Sequence, residues 1–177
     1  MEQNEALTGL ENPDFSRINY PIFEKAEATR STNGKIMNAI ARGLPSFVGG
    51  SADLSPSNKT NLNDMGVFPK GRNIYFGIRE HAMASIVNAM ALYGPLLPFS
   101  ATFFVFSDYL KPAARIAALT GIQNFYIWTH DSIGVGEDGP THQPIEHLSQ
   151  FRALPNFYVW RPADGAENVE AWKTALT

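Results

Sequence analysis

The chain has 177 residues, the length of one ordinary domain, with 44% hydrophobic residues to fill a core and no cysteine, which excludes disulfides, thiolate catalysis and cysteine-held zinc. Lys plus Arg is 14 and Asp plus Glu is 17, a net charge of −3 with no basic cluster, so no nucleic-acid footprint is expected. The opening MEQNEALTGL has neither a basic start nor an apolar run and does not read as a signal peptide. No apolar stretch approaches the ~18 residues needed to span a membrane, and a cytoplasmic location is expected.

Residues 1–21 are polar, hold Pro13 and Pro21, and show no sustained period; they read as a linker or arm ahead of a domain spanning 22–177. The spacing of Ile36, Ala39, Ile40 and Leu44 predicts a helix over 24–44, ended by Gly43 and Pro45. SFVGG (46–50) reads as a strand running into the turn-rich SADLSPSNKTN. NIYFG (73–77) reads as a second strand, followed by a helix over 79–94 with Met83, Ile86, Val87 and Met90 on one side. LLPFSAT (96–102) is a third strand and SDYLKPAARIAALTG (107–121) a helix. NFYIWTH (124–130) is a fourth strand. A helix over 145–154, a fifth strand over NFYVWRP (156–162) and a helix over 167–176 complete the chain.

Strands alternating with helices predict an α/β fold, a mostly parallel sheet with helices on both faces. Ligands of such sheets bind beyond the carboxyl ends of the strands. Each chemically loaded segment follows a strand: Ser51–Asn58 follows the first, Arg79-Glu80-His81 the second, and His130 onward the fourth. Periodicity alone therefore gathers these polar groups toward one rim.

HDSIGVGEDGPTHQP (130–144) carries two histidines, three carboxylates, three glycines and two prolines. Gly134, Gly136 and Gly139 permit backbone angles that other residues avoid, and Pro140 and Pro144 stiffen the segment. A loop of this kind holding His130, Asp138 and His142 reads as a built site. Zinc fits the residue types, but neither HExxH nor a short histidine pair is present, so no metal site is expected. Glu80 opens a helix, where its carboxylate either serves the helix dipole or stands partly desolvated and able to share a proton. Phe103, Phe106 and Tyr109, at i, i+3 and i+6, form either a core stripe or a stacking surface for a flat ring. Ser51, Ser55 and Ser57 suit caps, and Arg30 suits a solvated helix position.

ATRSTNG, GGSADLSPSN, FGIREHAM, ATFFVFSDY and THDSIGVGEDGPTHQPIEHL resemble, in order and spacing, the middle, pyrimidine-binding domain of transketolases over roughly residues 20–175. Dihydroxyacetone synthase is a close relative that the same motifs admit. The resemblance implies that Glu80 hydrogen-bonds the aminopyrimidine of thiamine diphosphate and activates it by proton sharing. It places Phe103, Phe106 and Tyr109 around the pyrimidine ring and Asp53 near the cofactor at a subunit interface. Arg30, Ser57 and His130 match contacts to a sugar phosphate. Asp138 and His142 match groups that bind the sugar hydroxyls and the reacting carbonyl end, His142 beside the chemistry.

The chain holds no Gly-Asp-Gly, which in this family opens the Mg²⁺-dependent diphosphate site of a preceding domain. The resemblance thus implies half of a cofactor site, with Mg²⁺ and the diphosphate held by a partner domain or subunit. It also implies a homodimer and phosphorylated sugars as substrates. Two readings from other classes stand beside it: a non-catalytic dimerisation or interaction module of transketolase descent, and a metal-dependent hydrolase using His130, Asp138 and His142.

Overall fold

The structure, a computed structural model, describes residues 13–177. Most of the arm expected over 1–21 lies outside the described residues. Of the remainder, Ile18 is buried, and Phe15 and Tyr20 pack against the same core cluster.

Helix α1 is Thr29–Gly43 and buries Ile36, Met37 and Ile40. It begins later than the predicted residue 24. Glu24 to Ala28 are exposed and offer no apolar side chain larger than the methyls of Ala26 and Ala28, and Glu27 instead reaches forward to Lys35 at 2.6 Å. Strands β1 (Phe47–Ser51), β2 (Asn73–Tyr75), β3 (Leu97–Phe103) and β4 (Phe125–Thr129) form one four-stranded sheet in the order β2-β1-β3-β4. Every pairing is parallel. A short helix α2 (Ser55–Asn58) follows β1, α3 (Glu80–Tyr93) follows β2, and α4 (Ser107–Thr120) follows β3. Helices α5 (His147–Arg152) and α6 (Gly165–Leu176) lie after β4.

Side chains alternate across a strand, so each face of the sheet carries its own core. On β4, Phe125 and Ile127 join Phe47, Phe99 and Trp172 beneath α1 and α6. Tyr126 and Trp128 point the other way, toward Met83 and Val87 of α3 and Leu110 and Ala114 of α4. Helices therefore cover both faces, as the alternation predicts. The α3 stripe is narrower than its spacing implied: Met83 and Val87 are buried, but Ile86 is 47% exposed.

The fifth strand does not form. Residues 157–162 join no ladder, and β4 is the sheet edge. Their alternation is met by packing alone. Phe157 stacks on Trp128 with ring centroids 5.9 Å apart, Val159 joins the same cluster, and Tyr158 and Trp160 face outward. An alternating pattern encodes a two-sided segment; it does not by itself supply a pairing partner.

Central strand β1 tolerates no side chain at Gly50. A Cβ there would lie 1.7 Å from the backbone oxygen of its ladder neighbour Ile74, and neither strand can yield without losing the pairing. Gly50→Ala is expected to cost about 3 kcal/mol or more, at the upper end of overpacking effects. Urea denaturation checks this, and an unchanged midpoint would contradict the packing described for β1.

Candidate functional site

The strand order reverses direction between β1 and β3, and in open parallel sheets that switch point opens a crevice at the carboxyl ends. The segments flanking it carry the predicted site residues. Beyond β1 the backbone turns sharply, with Asp53 at φ 61°, an exposed residue in the left-handed region that non-glycine residues seldom occupy. Beyond β4, His130 does the same at φ 54°. Two such outliers on one rim mark a place where local strain is tolerated.

Three of these residues meet although they are far apart in sequence. Arg30, on the first turn of α1, places Nη1 3.2 Å from His130 Nε2 and donates from the same nitrogen to the Ser57 carbonyl at 3.3 Å. The contact uses the backbone of Ser57, not its hydroxyl. His130 Nδ1 lies 2.9 Å from Thr129 Oγ1, which lies 2.6 Å from Asn58 Oδ1. Asn58 donates to Ser51 Oγ at 3.1 Å, and the Leu54 N–H donates to the same oxygen. The chain of bonds runs from β1 through α2 and across the end of β3 to the tip of β4. Asn58 is fully buried, and Ser51 and Thr129 are nearly so. Burial pushes the His130 imidazole below its ordinary pKa, and the Arg30 guanidinium adds to the effect; Asp138 opposes it, His142 reinforces it, and Asp131 opposes it again.

The aromatic residues also meet. Phe103 ends β3, Phe106 sits in a 3-10 turn and Tyr109 in α4, so the stripe spans a strand end, a turn and a helix. The Phe103 and Phe106 rings stack at 5.9 Å and 12°, and Tyr109, 65% exposed, lies 6.2 Å beyond Phe106. His130 lies against Phe103 at 3.7 Å, and His142 stands edge-on to Phe106 at 5.2 Å. The loop that carries both histidines turns through left-handed Gly136 and Gly139, whereas Gly134 needs no such angle. Asp138 ends the first of its two 3-10 turns and His142 the second. Arg161 anchors the start of the loop through Asp131 at 2.6 Å.

Glu80 is the first residue of α3, beyond the edge strand β2. It is only 8% exposed, yet among the described residues no side chain pairs with its carboxylate. Its oxygens are not among the fully sealed polar atoms, so they still reach solvent. A cleft of about 620 Å³ lined by Pro21, Phe23, Trp160 and residues of α6 shares only Arg161 with these groups.

Sequence reasoning missed Ser51 and Asn58 as partners of His130, and Thr129 altogether. The available signal was a run of small polar residues at two strand ends. It also missed His147, which is 3% exposed with Nε2 3.1 Å from Asp108 Oδ2 and Nδ1 3.8 Å from Glu146 Oε2. Neither contact has hydrogen-bond geometry. These three form the one group among the described residues close enough to hold a metal ion. His130, Asp138 and His142 form none.

The model of the transketolase pyrimidine-binding domain family matches residues 25–177. The chain belongs to this family. The transketolase of Geobacillus stearothermophilus is 54% identical over 170 residues, which cover 93% of this chain and 25% of that protein. The crystal structure of Campylobacter jejuni transketolase superposes with a TM-score of 0.96 at 67% identity, over 98% of this chain and 28% of that one. The Pichia stipitis transketolase, solved as a complex with sedoheptulose-7-phosphate, superposes with a TM-score of 0.93 at 40% identity, over 99% of this chain and 28% of that one. This transketolase domain therefore spans about a quarter of the length of the curated relatives it matches.

Proposed function

We propose that this domain forms the pyrimidine side of a thiamine diphosphate site, and part of a sugar-phosphate site, for two-carbon ketol transfer between phosphorylated sugars. The observation that carries the reading is Glu80, a nearly buried carboxylate at a helix start that no side chain among the described residues pairs with. The helix dipole favours the negative charge, and the open oxygens are free to accept an N–H from a ring nitrogen and share its proton. Phe106, partly exposed and backed by the buried Phe103 ring, offers a flat apolar surface of the kind a pyrimidine ring stacks on. Asp53 lies on the same rim and faces outward, as a residue near a subunit interface would. When bound, thiamine diphosphate supplies the carbon nucleophile that carries the two-carbon unit. The residues here bind, orient and move protons. Arg30, with Ser57 and His130 beside it, takes the phosphate. Asp138 and His142 take the sugar hydroxyls and the reacting carbonyl end. That the 40% identical Pichia stipitis transketolase was solved with sedoheptulose-7-phosphate supports a sugar phosphate as the substrate class.

The diphosphate and Mg²⁺ belong, on this reading, to a diphosphate-binding domain outside the residues described. Among those residues the one metal-competent group, Asp108, Glu146 and His147, includes none of the cofactor residues proposed here. The 177-residue chain alone is expected to bind thiamine diphosphate weakly and to show no measurable ketol transfer, because stacking and burial must offset the entropy of immobilising the cofactor without its anionic anchor. Calorimetry with cofactor and Mg²⁺ checks this. Tight, Mg²⁺-dependent binding to the chain alone would contradict the half-site reading.

The face around β2 and the start of α3 exposes Tyr75 (60%), Ile78 (79%) and Ile86 (47%), an apolar surface that suits a twofold homodimer. Light scattering is expected to show association. A strict monomer at high concentration would count against this face.

A further inference from the structure

We propose that the phosphate site is proton-linked: Thr129 and Asn58 hold His130 in its Nδ1–H form, so an anion contacts His130 Nε2 only as one proton is taken up. The inference rests on the sugar-phosphate reading of Arg30 and His130 given above.

The direction of every bond in the chain follows from its ends. A guanidinium only donates, so the Nε2 that faces Arg30 Nη1 at 3.2 Å is the accepting nitrogen of a neutral ring. The ring proton is then on Nδ1 and is donated to Thr129 Oγ1 at 2.9 Å. The hydroxyl of Thr129 donates in turn to Asn58 Oδ1, and the 2.6 Å separation suits an O–H donor better than an amide. The Asn58 amide donates to Ser51 Oγ at 3.1 Å. Along this chain no two lone pairs meet.

A phosphate dianion offers only acceptors, so it requires a hydrogen on Nε2. Moving the ring proton across from Nδ1 would make Thr129 turn its hydroxyl toward the imidazole. Two oxygens 2.6 Å apart, those of Thr129 and Asn58, would then face each other without a hydrogen. Relief would need the Asn58 amide to flip within its fully buried site and the Ser51 hydroxyl to turn round and donate to it. The remaining route adds a proton from solvent to the Nε2 lone pair; it gives up the Arg30 contact, whose guanidinium turns to the anion, and leaves the Thr129, Asn58 and Ser51 bonds in place. The ring becomes an imidazolium that donates to Thr129 from Nδ1 and to the anion from Nε2.

The charged and titratable groups facing His130 are Arg30 from α1, Asp131 beside it, and Asp138 and His142 from the two turns of its loop. In the free domain burial and Arg30 favour the neutral ring. A bound dianion adds negative charge beside Nε2 and raises the pKa. Anion affinity is therefore highest at low pH. It falls by about tenfold per pH unit between the free-state and bound-state pKa values, and levels off above the latter, where the His130 contact is lost.

The test is long-range proton–nitrogen NMR of the chain labelled at histidine, with sulfate as a dianion that does not titrate and ribose 5-phosphate as the phosphorylated sugar. The free chain is expected to show Nδ1 protonated and Nε2 bare, and either anion to add a proton at Nε2 while Nδ1 keeps its own. Thr129→Val removes the lock, so a neutral Nε2–H ring can meet the anion, and the pH dependence of affinity flattens. Thr129→Ser restores it. A free chain with Nε2 protonated overturns the proposal, as does an anion bound at Arg30 while His130 stays neutral; both readouts need only the unsubstituted chain. Anions that move neither the Arg30 nor the His130 resonances overturn the sugar-phosphate reading itself, and the linkage with it.

Discussion

Glu80→Gln is expected to lower ketol transfer by about 10²–10⁴-fold, the usual worth of a general acid–base group, in any transketolase assembly that contains this domain. The amide keeps the size of the side chain but cannot carry the negative charge that draws a proton onto a ring nitrogen. The fold should barely notice. Among the described residues Glu80 has no side-chain partner to lose, and the favourable placement of its charge at the start of α3 is worth about 0.3–1 kcal/mol. The loss should fall on kcat, with substrate KM little changed, because the group is assigned to the cofactor and not to the sugar. Steady-state kinetics beside a urea melt separates the two effects. Near-normal turnover, or a loss matched by unfolding, would remove the role assigned to Glu80.

Arg30→Ala and His130→Ala should act on the other quantity. Each removes a charged or charge-assisted contact to a phosphate remote from the reacting carbon, worth about 1.5–3 kcal/mol. That corresponds to a rise in KM of roughly 10- to 100-fold for phosphorylated sugars, with kcat largely kept. Comparing a phosphorylated sugar with its unphosphorylated counterpart checks the assignment. The second substrate should lose little, since it has no phosphate to hold. Equal losses for both would place Arg30 and His130 in the general integrity of the site instead.

What could be seen in the residues alone was the rim. Apolar runs such as SFVGG and NFYIWT, each followed by a polar segment, placed Asp53, Ser57, Glu80 and His130 beyond strand ends, and the parallel sheet puts them there. Local pattern could not show that Arg30 and His130, 100 residues apart, touch; only the resemblance linked them to one substrate group. The relay through Thr129 and Asn58 was hidden for a related reason. Its members are ordinary polar residues at element ends, and their meaning lies in which strands are neighbours. The fifth strand failed because alternation reports which side chains are buried and not where backbone hydrogen bonds go. Phe157 and Val159 found their burial against Trp128 without a ladder. His147 read as a helix position, and its burial against Asp108 depends on how α4 and α5 approach each other.

The most direct test of the half-site account is a mixing titration. This chain is added in increasing amounts to a fixed quantity of a separately produced transketolase diphosphate-binding domain, with thiamine diphosphate, Mg²⁺ and a donor–acceptor pair of phosphorylated sugars, and ketol transfer is followed. The account predicts no turnover from either polypeptide alone, a rate that climbs to a plateau near equimolar mixing, and collapse of that rate when the added chain carries Glu80→Gln. A rate indifferent to the presence of this chain, or to the glutamine at position 80, would contradict it.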